Sequence, residues 1–403
     1  MFELLIFSNA YLHSLKLKST QTPCLCQQRV CGFSLVEMLI ALSLGLLIIA
    51  ALGQIFSTTI RNHGRTLATA SLQENMRLID AFVGRAADRA GYLGCLGNRG
   101  NIAKFLRGSW RDLPEYDLSQ PVAGFENLGN GRFSPSIENL PLTSNRQRLH
   151  KPNNGIRQSL LAPTSDVLVL RGMGEIGGAL RHLSDERMLM FEVSDHHLEP
   201  DNGDVLVITD CHQGALFSAS TLRRSGSMVS MGWEESSGLF GNLAFGVTDA
   251  GEQTLVGLSL SQHGFAPSSI LAHVVSTVFF VGQSQAVGAE GQTLYSLWQK
   301  DGSARPTELV RGVKDMQVLY GVKRAGVSVD VSDETQLFVE QGVIGYYQWD
   351  QIPAETVVAS IWLSFVIESS IDLDEGGGSA TLRSFSLTYV LKNLRPRVLE
   401  VSR

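Results

Sequence analysis

One apolar segment near the N-terminus limits what the rest of the chain can be. Residues 33–56 form a run of 24 residues in which Glu37 is the one formal charge. As a helix this run is about 36 Å long, against a hydrocarbon core of about 30 Å, so it can span a bilayer. A carboxylate at that depth costs on the order of 2.5 to 3.5 kcal/mol. Glu37 therefore needs a partner and is the first candidate functional residue.

The charges before this segment set its orientation. The one acid there is Glu3, and the basic residues are Lys16, Lys18 and Arg29. The positive-inside tendency therefore predicts a cytoplasmic N-terminus, with residues from about 57 onward on the other side of the membrane. A cleaved secretory signal is disfavoured, because the apolar run is too long and no small-x-small cleavage site closes it.

The residues that follow continue as an amphipathic helix. No proline occurs between Pro23 and Pro114, and apolar residues recur at alternating spacings of four and three, which places them on one helix face. These residues are Leu72, Met76, Ile79, Val83, Ala86 and Ala90. We therefore predict one helix from Phe33 to Ala90, with residues 57–90 as its amphipathic continuation and Gly91 at its end.

Beyond Gly91 the pattern changes to short β-type runs separated by turns. Asp201-Asn202-Gly203, Asp301-Gly302-Ser303 and residues 374–378 are typical turn clusters. The predicted strands are 166–171, 203–209, 215–219, 274–282, 293–299, 315–322, 357–368 and 381–391. Because strand follows strand with few helices between them, we predict an α+β fold. In it the long N-terminal helix packs on a mainly antiparallel, β-rich head at residues 91–403.

The overall charge of the chain disfavours nucleic acid as a direct partner. The chain has 403 residues, 44% of them apolar, so it is long enough to bury a sizeable core. Its formal net charge is −6, and no run of Lys or Arg provides a basic face for a phosphate backbone. We therefore expect no direct nucleic-acid partner.

Residues 32–37 resemble the type III signal of type IV prepilins and type II secretion pseudopilins. They read Gly32-Phe33-Ser34-Leu35-Val36-Glu37 and lead directly into the apolar run. The resemblance implies that a membrane-bound prepilin peptidase cuts after Gly32 and N-methylates Phe33, so that residues 1–32 are a removed leader. It also implies that Glu37 meets the N-terminal amine of a neighbouring subunit in a fibre. An opposite charge in such a low-dielectric bundle offsets the desolvation cost of the carboxylate.

The implied leader is longer and less polar than such leaders commonly are. One hypothesis is that translation begins nearer Leu25, which would leave LCQQRVCG as the leader, and the alternative is a genuinely long leader. Cys24, Cys26 and Cys31 lie in this removable part, so their spacing is weak support for a metal site or a lipidation signal.

The helix and most of the head resemble the PilW-type minor pilins of the type IV pilus, with residues 97–160 and 220–270 contributing little. The motifs that carry this resemblance are Gly91-Tyr92-Leu93-Gly94-Cys95, Asp210-Cys211, and residues 308–322, 357–368 and 389–393. The resemblance implies a non-enzymatic subunit whose helix packs with other minor pilins and with the major pilin. Such a subunit helps to initiate pilus assembly as part of a priming or tip complex, and so supports twitching motility, adhesion or DNA uptake. The implied location is the inner membrane and the pilus tip, with the head in the periplasm. A minor pseudopilin of the J class of type II secretion is the nearest alternative.

Two cysteines, Cys95 and Cys211, remain once the leader is removed. Two cysteines in an oxidising compartment most often pair, and closing a loop of this length contributes on the order of 4 kcal/mol. We predict a disulfide that ties the end of the helix to a strand of the sheet, with two free thiols as the alternative.

Other patterns are compatible with an enzyme or a binding module, but each has a simpler structural explanation. Residues 172–177 match GxGxxG, but no clear βαβ unit follows, so a glycine-rich turn is favoured. A metal could be bound by Asp195, His196, His197, Asp201 and Asp204, yet adjacent histidines on an extended chain point to opposite faces. Cys211-His212 is compatible with a thiol nucleophile, but a disulfide explains Cys211 better. Residues 372–378 are compatible with a loose calcium loop, but a hairpin loop is favoured. We predict no catalytic residue, cofactor or metal, and keep a membrane-tethered periplasmic binding module or enzyme as the alternative class.

Overall fold

A computed structural model describes the helix and most of the predicted head. The described residues are 34–96, 102–106, 116–129, 132–137, 161–184, 188–193, 204–232, 269–287, 292–302, 306–324, 343–353, 356–368 and 382–394. Within them the chain forms one long helix, α1 (Leu35–Arg89), seventeen strands and a short 3₁₀ helix at Trp349–Gln351. The strands are β1 (Ile102–Lys104), β2 (Val122–Asn127), β3 (Phe133–Ser134), β4 (Val167–Met173), β5 (Gly178–Ser184), β6 (Met188–Val193), β7 (Val205–Thr209), β8 (Gly214–Ser218), β9 (Ser220–Ser225), β10 (Met228–Gly232), β11 (Ile270–Val287), β12 (Thr293–Asp301), β13 (Thr307–Arg311), β14 (Val313–Arg324), β15 (Val343–Tyr347), β16 (Thr356–Glu368) and β17 (Leu382–Val390).

Helix α1 confirms the predicted continuous helix and ends one residue earlier than expected, at Arg89. The backbone N–H of Ala90 still donates to the oxygen of Ala86 at 3.0 Å, and Gly91 then adopts a φ of 73°. A positive φ favours glycine because a Cβ would be strained there, which explains the glycine at the helix end. The chain divides into two compact units, Met1–Ile60 and Arg61–Arg403.

The longest strand, β11, organises the larger sheet, which contains thirteen of the described strands. The first residues of β11 pair with β5 and β7, and the rest of it pairs with β4 and β12. From these neighbours the sheet extends through β8 to β1, through β6 to β10 and β9, through β2 to β3, and to β13. The pair β1–β8 is parallel, and the other pairs described in this sheet are antiparallel.

The smaller sheet has the strand order β15-β14-β16-β17 and is antiparallel throughout its described strands. Along β16, buried apolar residues alternate with half-buried ones, as expected for a strand with one face on the core. The buried set is Ile361, Leu363, Phe365 and Ile367. These residues share a core with the second half of α1, including Ile79 and Val83, and with β4 and β11. This arrangement confirms the predicted α+β fold.

Backbone and side-chain hydrogen bonds around Asp166 join the two sheets. The N–H of Asp166, directly before β4, donates to the oxygen of Met316 in β14 at 2.9 Å. The N–H of Val318 donates back to the Asp166 carboxylate at 3.0 Å. The Ser165 hydroxyl donates to the Asp315 carboxylate at 2.9 Å. The sheets are therefore linked by polar contacts at this point, besides the apolar core that they share.

The eight predicted strands overlap β4, β7, β8, β11, β12, β14, β16 and β17, with bounds that differ by a few residues at most ends. The largest differences are in β11, which runs from Ile270 to Val287 rather than from residue 274 to 282. The sequence did not predict the other nine strands. The predicted turn at Asp301-Gly302 is present, with a φ of 43° at Gly302, whereas residues 201–203 and 374–378 lie outside the described residues.

Candidate assembly site on the N-terminal helix

Helix α1 begins almost at the predicted processing point. Gly32 and Phe33, the predicted cleavage and methylation residues, lie outside the described residues. The backbone oxygen of Ser34 already accepts a hydrogen bond from the N–H of Met38 at 3.1 Å. Glu37 therefore lies in the first helical turn, where the positive end of the helix dipole favours a carboxylate.

The apolar side chains in the first half of α1 remain exposed. Leu35 is 76% exposed, Ile49 68% and Phe56 69%. An 18-residue window of the helix has a mean hydropathy of 2.6, and none of it is buried. Exposed apolar surface on this scale marks a membrane or protein interaction site, and the helix is long and apolar enough to cross a bilayer.

Glu37 has no partner within the described part of the chain. It is exposed and makes no hydrogen bond or ion pair with another described residue. A carboxylate inside a bilayer or a helix bundle is costly unless an opposite charge or hydrogen-bond donors accompany it. A cation supplied by another molecule would offset that cost.

The segment that contains these features is also the one that matches known proteins. Residues 27–53 match the family model described as the prokaryotic N-terminal methylation motif. The methylation motif includes Gly32, Phe33 and Glu37, so the chain carries the signal of type IV pilin-like prepilins. This signal supports a pilin-like or pseudopilin protein, processed by the prepilin peptidase and packed with other pilins, and it fits a membrane anchor. Neither a curated protein nor a solved structure gave a significant match.

Polar contacts from the end of β17 hold the second half of α1. The Tyr389 hydroxyl donates to the Asp80 carboxylate at 2.7 Å, and burial together with this hydrogen bond raises the pKa of Tyr389. A Cβ on Gly84 would lie 3.2 Å from the Tyr389 ring, so glycine lets the ring approach the helix closely. Lys392 pairs with Asp88 at 2.8 Å. The resemblance motif at residues 389–393 therefore contacts the helix.

The C-terminal end of α1 lies against β4 through backbone contacts. The N–H of Gly91 donates to the oxygen of Arg171 at 2.8 Å, and the N–H of Met173 donates to the oxygen of Tyr92 at 2.8 Å. A Cβ on Gly172 would overlap the backbone oxygen of Arg89. The GxGxxG match at residues 172–177 is thus a strand end and a connection to β5 rather than the start of a βαβ unit, and its first glycine accommodates the helix.

A disulfide links Cys95 to Cys211, with their Cα atoms 4.7 Å apart. Cys95 follows the helix end by six residues, and Cys211 lies in the turn between β7 and β8. The Asp210 carboxylate accepts the backbone N–H groups of His212 and Gln213 at 2.7 and 2.8 Å, which orders this turn. The bond joins the helix end to the sheet as predicted, but through a turn directly after a strand. Because the Cys211 sulfur is bonded, it is not available as the nucleophile that Cys211-His212 suggested.

The other candidate ligand groups are only partly described. Asp195, His196, His197 and Asp201 lie outside the described residues, as do residues 372–378. Asp204 is half-buried and directly precedes β7. Within the described ranges, no group of three or more His, Cys, Asp or Glu side chains is placed to hold a metal ion.

A cavity of about 580 Å³ lies beside the end of α1. Arg85 and Arg89 line it from the helix, and Thr277 and Asp301 line it from β11 and β12. The Thr277 hydroxyl donates to the Asp301 carboxylate at 2.6 Å. A binding-module function would use this cavity, although much of its polar lining is engaged within the protein.

The sequence did not predict that two carboxyl groups are buried. Glu126 is 4% exposed and Asp166 3%, and they lie near each other at the joint between the sheets, where each affects the pKa of the other. The Glu126 carboxyl accepts the N–H of Trp349 at 2.7 Å. Burial raises the pKa of Glu126 to about 7 and that of Asp166 to about 6. Glu126 lies in the glycine- and asparagine-rich region where no strand was predicted, so no sequence signal marked it as buried.

Proposed function

We propose that this chain is a PilW-type minor pilin, which helps to initiate assembly of the type IV pilus. The observation that carries the proposal is the methylation motif at the start of a 55-residue helix, whose first half is apolar and exposed and whose second half is packed on a strand-rich head. The head motifs that resemble PilW-type minor pilins support the finer assignment. In this proposal the protein is a structural subunit and not an enzyme.

The physical basis of initiation is the cost of the first helix contacts. A lone Glu37 in an apolar environment is penalised, and the penalty is relieved when a neighbouring subunit brings the amine of its first residue. A small complex of minor pilins that makes these pairings early lowers the barrier for the major pilin to add. In this proposal Glu37 therefore favours correct register between subunits more than it stabilises the isolated chain.

The rigid attachment of the head supports the same role. The resemblance motifs form the segment Gly91–Cys95 directly after the helix, the β13–β14 hairpin, β16 and the end of β17. Gly312, in the hairpin, has a φ of 81°, and a Cβ there would lie 2.6 Å from the backbone oxygen of Glu368. These motifs fix the head to residues 68–90 of the helix.

Substitution of Glu37 tests the proposal. In cells, we expect Glu37→Ala and Glu37→Gln to insert into the membrane normally but to reduce the pilus number and the amount of this chain in sheared fibres by about tenfold or more. Ser43→Ala is the matched control, because it changes a polar group in the same span whose hydroxyl bonds only to its own helix, at the Ile40 oxygen. A tethered enzyme or binding module would tolerate all three changes, so unchanged fibres in Glu37→Ala would reject the proposal.

Two further experiments separate this proposal from its alternatives. Gly32→Leu should leave an uncut precursor of higher mass, since the peptidase cuts after this glycine, whereas a plain anchor should give the same mass as the wild type. Deletion of the whole chain should abolish surface pili and leave protein secretion intact. Lost secretion with normal pili would instead assign the chain to the J-class pseudopilins.

A further inference from the structure

The cations of α1 fall into two groups that differ in their acidic neighbours. No Asp or Glu occurs between Glu37 and Glu74, and Arg61 and Arg65 are the first cations after the apolar run. Further along the helix, Arg77 pairs with Glu74 at 2.8 Å and Arg89 pairs with Glu175 at 2.7 Å. Among the residues that the structure describes, none makes a hydrogen bond or ion pair with the guanidinium group of Arg61 or of Arg65.

Arg61 and Arg65, here named the arginine pair, occupy a defined position on the helix. Arg61 directly follows Ile60, an exposed apolar residue four positions beyond the apolar run, and Arg65 lies one helical turn further on. Residues four apart in a helix share a face, so both guanidinium groups extend from the same side. Both residues are exposed, and His63 between them is exposed as well.

The hydroxyl groups around the arginine pair are already satisfied by the helix itself. Each bonds to a backbone oxygen four residues earlier, at 2.8 to 2.9 Å: Thr58 to Gln54, Thr59 to Ile55, Thr66 to Asn62 and Thr69 to Arg65. The guanidinium groups are thus the strong donors at this level of the helix, and they need acceptors from outside the described chain.

The orientation predicted for the helix makes this position unusual. Basic residues that flank a spanning helix are concentrated on the cytoplasmic side, whereas the arginine pair would lie on the other side. Arginine binds phosphate through two parallel N–H donors, and its long aliphatic stem can lie along apolar surface while the charged end reaches the interface. Phosphate groups in the outer leaflet of the inner membrane match this geometry and charge.

We infer that the arginine pair binds the headgroups of anionic phospholipids where the spanning helix leaves the membrane. This contact sets how deeply α1 sits and holds the subunit before assembly. The inference rests on the proposed membrane insertion. Each arginine near an anionic membrane surface is expected to strengthen the binding of the helix to that surface about fivefold.

Headgroup cross-linking with the purified full chain tests this inference. The chain is reconstituted into two kinds of vesicle. One is phosphatidylcholine with a trace of phosphatidylcholine that carries a photoactivatable headgroup. The other also contains phosphatidylglycerol, and its trace lipid is phosphatidylglycerol with the photoactivatable headgroup. Mass spectrometry after digestion separates cross-links at residues 54–70 from those on the basic leader. We expect residues 54–70 to cross-link to phosphatidylglycerol and not to phosphatidylcholine. In Arg61→Gln/Arg65→Gln we expect the yield of these cross-links to fall by about tenfold or more. The control Arg77→Gln/Arg85→Gln removes the same charge from the same helix and should cross-link like the wild type.

The outcomes separate this inference from the proposed function. Vesicle flotation at high pH reports insertion, which the charge changes should not alter in neutral vesicles. A wild-type chain that does not float contradicts the membrane anchor and the inference with it. Variants that insert but cross-link to phosphatidylglycerol as strongly as the wild type, or equal labelling by both lipids, overturn the inference alone.

Discussion

The two halves of α1 belong to one continuous helix, yet the apolar side chains of the first half are exposed and those of the second half are buried. In the first half, residues such as Ile49 and Phe56 are apolar and more than two-thirds exposed. In the second half, Ile79 and Val83 are fully buried against the sheets. Secondary structure alone therefore does not distinguish the halves. What distinguishes them is whether the chain supplies its own packing partners.

The two halves also differ in the contacts that hold them within the chain. The second half is held by an apolar core, by the Asp80–Tyr389 hydrogen bond, by the Lys392–Asp88 ion pair and by a disulfide near its end. The first half has none of these contacts within the described residues, and it carries an unpartnered carboxylate. Changes in the second half should therefore alter stability, whereas changes in the first half should alter assembly.

Removal of the disulfide is expected to have the largest effect on stability. The bond closes a loop of 116 residues, and the chain-entropy model gives about 4 to 5 kcal/mol for a loop of this size. We expect Cys95→Ala/Cys211→Ala to lower the free energy of unfolding of the head by this amount in denaturant titrations of the detergent-solubilised chain. Two thiols that react in the denatured, unreduced mature protein would contradict the bond.

A matched pair of isoleucine substitutions compares the halves directly. Ile79 is fully buried, so Ile79→Ala should cost about 3 kcal/mol through lost burial and a residual cavity. Ile49 is 68% exposed, so Ile49→Ala should leave the free energy of unfolding of the head unchanged. Denaturant midpoints of the two variants check this, and equal destabilisation would remove the distinction between the halves.

The buried carboxyl pair predicts a pH dependence that belongs to the head alone. An unfolded glutamate ionises near pH 4.3, while burial raises the pKa of Glu126 to about 7 in the folded state. The folded state therefore binds the extra proton, and the free energy of unfolding falls as pH rises between these values and stays low above about 7. We expect a loss of about 2 kcal/mol between pH 5 and pH 8.

Glu126→Gln isolates this effect, because the amide oxygen still accepts the Trp349 N–H but the side chain no longer titrates. The variant should show a clearly shallower fall in unfolding free energy from pH 5 to pH 8. If the wild type and Glu126→Gln lose stability in parallel, Glu126 is not the group that holds the extra proton.

The smallest expected effect concerns the contact between β17 and the helix. Tyr389→Phe removes the hydrogen bond to Asp80 at a partly exposed position, which should cost about 1 kcal/mol. Tyr347→Phe is the control, because no described residue bonds to its hydroxyl. Thermal melts of both variants compare the two hydroxyls, and identical melting temperatures would show that the Tyr389 bond does not stabilise the second half.

The sequence predicted those parts of the fold whose signal is local. The helix followed from an apolar run and a regular stripe, and the buried strands β4, β7 and β16 followed from continuous or alternating apolar residues. Gly91 was expected at the helix end, and its positive φ supplies the reason. The candidate residues at the start of the helix followed from the six-residue motif Gly32–Glu37, so no long-range information was needed.

The parts that were missed depend on contacts between distant residues. β9 and β13 contain several polar residues, and their pairing partners rather than their own sequences define them as strands. The joint at Glu126 and Asp166 brings together β2, β4 and β14, which are separated by long stretches of chain. The role of Gly172 is similar, because a close approach by the helix backbone cannot be read from the glycine pattern alone.

In the proposed function, the apolar half of α1 is a packing surface for other fibre subunits. The most direct measurement is the mass and sequence of the N-terminal peptide of this chain in pili sheared from cells. We predict a peptide that begins with N-methylated Phe33 and is recovered from the sheared fibres. A chain that begins at any other residue and stays in the membrane fraction, with no association with other pilins, would contradict it.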